Sequence, residues 1–172
     1  MPKQIGKDVM YIMELVWKGF KINTKLKECS DKSGCLDPDM KKFMDTKKAE
    51  TLKLLESLGK TKTEAAKIKI RDKIVSKSKE IDEYTKAFKG TDKFAKQYKC
   101  QLNKCKRHIE ATVSYIDELL SFSKSLFKGE DLKTVTSLQK KVKDLQSHID
   151  DPKRFVVMQN DFAKFPALLE KL

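Results

Sequence analysis

Apolar residues recur along this chain at helical rather than strand spacing. Ile5, Val9, Ile12, Val16 and Phe20 follow in steps of three and four, widened by Met13 and Trp17. They predict a first helix from about Lys3 to Glu28. Tyr11, Leu15, Ile22 and Leu26 form a second apolar stripe on its other side. A helix apolar on two faces is central in a core or has a partner. We take the second stripe as the candidate partner contact.

Residues Cys29 to Cys35, rich in Ser, Asp, Lys and Gly, read as a loop. Asp37-Pro38 restarts a helix, with Asp as N-cap and Pro in the first turn. Met40, Phe43, Met44, Leu52, Leu55 and Leu58 give that helix one apolar side, and Gly59 is expected to end it. Thr61 and Glu64 have the spacing of a capping box before Ile70, Ile74, Ile81, Tyr84 and Phe88. Thr91 or Asp92 then caps the longest segment, reaching to about Lys128. Its buried side is marked by Phe94, Tyr98, Cys105, Ile109, Ile116, Leu120 and Phe127, with Leu102, Val113 and Leu119 flanking. A straight helix of that length would span about 55 Å, so a bend or several neighbours are expected. After Gly129, the seam Val135, Leu138, Val142, Leu145 and Ile149 predicts packing back on the preceding helix. Asp151-Pro152 starts the last element, carrying Phe155, Met158, Phe162 and Phe165, and Pro166 is expected to end it. Leu168, Leu169 and Leu172 form an apolar tail, and Phe162, Phe165, Leu168 and Leu169 make a second candidate partner contact. No alternating strand pattern occurs. The expectation is all-α: one domain over residues 1–172, a bundle of about five to six long antiparallel helices with a C-terminal helical hairpin.

Composition fits that picture. The chain has 172 residues, 39% apolar and 37% charged, as amphipathic helices with solvated outer faces require. No stretch approaches the roughly 18 apolar residues of a membrane span. The start, Met1-Pro2-Lys3-Gln4, lacks an apolar leader core, so secretion by a signal peptide is not expected. The expected location is intracellular or inside a virion-like particle.

Charge changes the picture more. The net charge is +13, and residues 41–79 hold 13 basic against 5 acidic side chains. Lys93, Lys96, Lys99, Lys104, Lys106 and Arg107 crowd a stretch without acids and form the candidate anionic-surface contact. Only 3 of the 38 basic residues are Arg. Base-edge reading favours Arg forks, so sequence-specific nucleic-acid binding is disfavoured. Phe94 and Tyr98 match the apolar spacing of the helix and are expected in the core.

Four cysteines lie in two pairs, Cys29/Cys35 and Cys100/Cys105. On a regular helix Cys100 and Cys105 stand about 140° and about 7.5 Å apart, poor geometry for a mutual bond. Cross-pairing is favoured, as Cys29–Cys105 with Cys35–Cys100 or the converse, and would pin the 29–35 segment to the long helix. Free buried thiols, a zinc site recruiting His108, and a redox pair are the alternatives.

Catalytic constellations are missing. The two histidines, His108 and His148, belong to no metal or nucleophile motif, and no phosphate-binding glycine loop is present. No cofactor is expected. These features predict a non-enzymatic structural or interaction protein with protein partners in a larger assembly. Paired cysteines without a leader, with heavy lysine use, suit a minor capsid or cement protein of a large DNA virus. A sequence-independent nucleic-acid-binding helical protein is the alternative.

Overall fold

The computed structural model describes the backbone of residues 2–172, with side chains from Val9 onward. The expected leader-free start and the place of Ile5 in the stripe fall outside the described side chains. The chain is all-α: α1 (Pro2–Ser33), α2 (Pro38–Lys60), α3 (Glu64–Lys89), α4 (Asp92–Ser123), α5 (Gly129–Ser147), α6 (Pro152–Phe162) and the short α7 (Phe165–Leu169). Where one domain was expected, the fold divides into two compact units. Residues 1–35 and 98–172 form the first; residues 36–97 form the second.

In the first unit α1 and α4 run antiparallel. Tyr11 meets Phe122 edge-on, Lys18 pairs with Glu118, Gly19 faces Tyr115, and Gln101 donates to Ser30. Partner numbers thus fall along α4 as they rise along α1. A Cβ at Gly19 would overlap the hydroxyl end of Tyr115, so glycine here permits the close approach. The buried side of α4 comprises Tyr98, Leu102, Cys105, Ile109, Val113, Ile116 and Leu120, at steps of three and four. Leu102 and Val113, expected at the flank, are fully part of it. On α5 the predicted seam Val135, Leu138, Val142 and Leu145 is buried. Gln139 sits among these residues and donates to Asp117 and Ser121 of α4, which satisfies an amide that burial would otherwise penalise. α6 folds back on α5 as the expected hairpin. Its Asp151 caps the Lys153 amide, and Arg154 bonds Asp144 at 2.7 Å.

The second unit is an α2–α3 hairpin plus the first turns of α4. Asp37 caps α2 as expected, accepting from the Asp39 and Met40 amides. Thr91 caps α4, accepting from the Phe94 amide at 3.3 Å. Met40, Phe88 and Phe94 are buried at the hairpin base. Further out, Phe43 stacks on Tyr84 with centroids 3.8 Å apart. Lys47 and Lys77 each bridge Glu50 and Glu80.

Several boundaries differ from expectation. α1 runs past Glu28 to Ser33, so Cys29 is helical and the loop shrinks to the turn at Gly34, whose φ of +69° ends the helix. α2 passes Gly59 and ends at Lys60. The expected capping box is absent: Thr61 donates back to Ser57 O, and Thr63 occupies the cap position without a side-chain bond. α4 ends at Ser123, not Lys128, and is interrupted at Cys105 (φ −123°, ψ 22°), which supplies the expected bend. Pro166 lies in the first turn of α7 instead of ending α6; its missing N–H costs nothing there.

Candidate functional site: the outer face of α1

The cysteines fix which side of α1 faces α4. Cys29 and Cys105 have Cα atoms 6.0 Å apart, Cys35 and Cys100 5.6 Å, each with its sulfurs at bonding distance. This is the first of the two expected cross-pairings. The bonds join the C-terminal end of α1 and the residue after its closing turn to α4. By the helical repeat Cys29 shares a side with Leu15, Ile22 and Leu26. That side is consequently the inner one.

This orientation buries much of both groups expected as partner contacts. Leu15 is 2% exposed, and Ile22 and Leu26 are half-buried, so most of the second stripe is core. Tyr11 keeps 37% exposure but rests its ring on Phe122. At the other end of the chain, Phe165 and Leu168 are buried and Phe162 is half-buried, stacked on Phe165 with centroids 5.4 Å apart. Only Leu169 of that group stands exposed.

The face left open is the first stripe. Val9, Met10, Ile12, Met13, Val16, Trp17 and Phe20 retain between 40% and 67% of their surface. They cover a face about 160° wide by the helical repeat, far broader than a two-helix seam. Trp17 and Phe20 stack with centroids 6.0 Å apart, and the Lys21 ammonium stands 5.4 Å over the indole. The sequence carried a signal for this orientation. Gly19, beside Leu15 on the helical wheel, marks the side of closest approach, and Cys29 lies on the same side.

Beyond the apolar face lies a groove between α1 and α4, lined by Lys25, Glu28, Lys32, Arg107 and His108 around Ile22, Cys29 and Ala111. One acid, Glu28, against three basic side chains, Lys25, Lys32 and Arg107, makes it electropositive. Of the predicted basic stretch, Arg107 lines this groove, Lys104 donates to the Ser33 carbonyl at 2.6 Å and Lys106 reaches Glu110 at 3.9 Å; in the second unit Lys93 pairs with Asp39. Phe94 and Tyr98 are buried and offer no stacking platform for bases.

No family model, curated protein or solved structure matches this chain. The functional reading therefore stands on its own residues. None of the described helices is long and apolar enough to cross a membrane. His148 caps the end of α5 beside Asp144 and Arg154, a surface polar cluster.

Proposed function

We propose that the chain is a non-enzymatic docking protein, a helical building block that attaches to a larger assembly through the outer face of α1. One observation carries this reading: seven large apolar side chains stand open on a helix that cannot turn them inward. The opposite side of α1 is packed on α4 and bonded to it at Cys29, so rolling the helix would break a covalent link as well as the core. Ordinary soluble surfaces do not keep such patches without use. The absence of assembled catalytic motifs in the sequence agrees with a binding role.

Phe20→Asp tests the reading, since the side chain is exposed and its loss removes no core contact. In an extract of its natural source the wild-type chain is expected in a high-mass complex, and the variant near the 19.9 kDa of the free chain. Co-elution of both at the monomer position would sink the proposal.

A further inference from the structure

We infer that the surface receiving α1 is an anionic lipid bilayer, with α1 lying in the interface as a preformed amphipathic helix. This deepens the docking reading and rests on it.

Three observations select a bilayer. The first is shape. An open face about 160° wide on a convex helix matches a flat, yielding apolar medium, whereas one partner helix would cover only a narrow seam. Aromatic side chains offer about 150–250 Å² each and the aliphatic ones less, so the exposures of these seven leave roughly 700 Å² of apolar area. The largest patch on a typical monomer is about 300–600 Å².

The second is charge. From Val9 to Lys27 the helix carries Lys18, Lys21, Lys25 and Lys27 against Glu14 alone. Lys18 is spent on Glu118, but Lys21 and Lys25 lie one turn apart along one edge of the apolar face. That edge leads into the groove, where Lys25, Lys32 and Arg107 outnumber Glu28. Headgroup phosphates and carboxylates are the complement of such an edge. A second copy of this chain is not. Each copy carries +13, and pairing two α1 faces would bring those like charges together.

The third is the Trp17–Lys21 pair. The Lys21 ammonium stands over the indole, 5.4 Å from its centroid, and Lys21 follows Trp17 by one helical turn at the edge of the apolar face. A lysine so placed keeps its charge among the headgroups while its stem and the indole enter the acyl boundary. With the far side of α1 held to α4 by packing and by the Cys29–Cys105 bond, the helix is already formed and correctly rotated. Binding then requires no folding step, and the helix lies in the plane, since none of the described helices is long and apolar enough to span.

Trp17 is the only tryptophan and reports on its own site. The experiment titrates the full oxidised chain with phosphatidylcholine vesicles, with and without phosphatidylserine, and follows Trp17 emission and co-flotation. A blue shift and flotation are expected with phosphatidylserine vesicles, weakening as salt rises. Lys25→Gln with Arg107→Gln should weaken binding about 30-fold. Val16→Asp should abolish it while helical content stays unchanged and both disulfides remain formed. An unshifted Trp17 spectrum with phosphatidylserine vesicles overturns the inference, as does equal binding to neutral vesicles. So does a shift that appears on concentrating the protein without lipid and is matched by a doubled scattering mass, which would assign the face to a second copy. If vesicles leave Trp17 unchanged while Phe20→Asp still releases the chain from its high-mass complex, the occupant is a protein. In that case only the lipid assignment falls.

Discussion

Tyr98 shows how one residue ties two helices together. It is 1% exposed, its ring lies 4.6 Å from that of Phe155, and its hydroxyl donates to the Ile149 carbonyl just before α6. Burial pushes the phenol up to about 12, with Asp150 and Asp151 adding to the shift. A raised phenol pKa favours the neutral form in the folded state. Its contribution is therefore complete below pH 10, where the unfolded chain is also neutral. It is lost as pH rises from 10 to 12, because the unfolded phenol ionises first. The loss amounts to roughly 3 kcal/mol across that window. Tyr98→Phe should cost about 1–2 kcal/mol at neutral pH, through the unpaired Ile149 carbonyl, and should flatten the alkaline decline. Tyr115, also raised by burial, leaves a smaller slope in both proteins. Urea midpoints at neutral pH and across pH 10–12 check this. An equally steep decline in the variant would refute it. The buried place of Tyr98 was legible, since it falls on the helical step that ends at Leu120. Its partner carbonyl was not, because nothing in local spacing says where α6 begins its return.

At the scale of elements, the two disulfides act on the same pair of helices and do not add. Alone, each closes a long stretch of the unfolded chain, 76 residues for Cys29–Cys105 and 65 for Cys35–Cys100. Chain entropy values either at about 4 kcal/mol. Once one is present, the second closes only the short spans 29–35 and 100–105, worth about 3 kcal/mol. Replacing Cys35 and Cys100 by Ser should therefore cost about 3 kcal/mol, and removing all four thiols about 7, more than twice the single loss. Urea unfolding of the oxidised single-crosslink and crosslink-free proteins measures both. A single loss as large as half or more of the total would contradict this. The cross-pairing was readable from helical geometry, yet the inward side of α1 was misjudged. Ser30, Asp31, Lys32, Ser33 and Gly34 have the composition of a loop, and ending the helix at Glu28 removed Cys29 from the helical wheel. With Cys29 restored to the helix, the side holding Leu15 has to face Cys105. A packed neighbour overrides local propensity here: Gln101 bonds Ser30 and Lys104 bonds the Ser33 carbonyl, so the polar last turn is held in helical form.

The division into two units belongs to the whole molecule, and the sequence gives no linker to mark it. The chain leaves the first unit after Cys35 and returns within α4, so one border falls inside a continuous helix and the other in the few residues before Pro38. Composition has no reason to change at either place. The disulfide Cys35–Cys100 closes the neck of this excursion, with Cα atoms only 5.6 Å apart. Between residues 41 and 87 no side chain is fully buried, and the hairpin depends on half-buried contacts, the Phe43–Tyr84 stack and surface ion pairs. In the Lys47, Glu50, Lys77 and Glu80 group, mutual pairing lowers the carboxyls and raises Lys47 from their ordinary values. Such exposed pairs contribute little to stability. The large core lies in the first unit, along α4, α5 and α6. It follows that the first unit carries its own cooperative stability. Replacing residues 37–97 with a short Gly/Ser turn should leave a chain that still forms both disulfides, keeps its helical content per residue and unfolds in one urea transition. Trp17 emission should match that of the full chain, because α1 and its contacts on α4 from Tyr98 onward remain. A shortened chain with broad, non-cooperative unfolding would show that the excursion is required for the core. It would also mean that the open face of α1 depends on more of the molecule than the helix bonded beneath it.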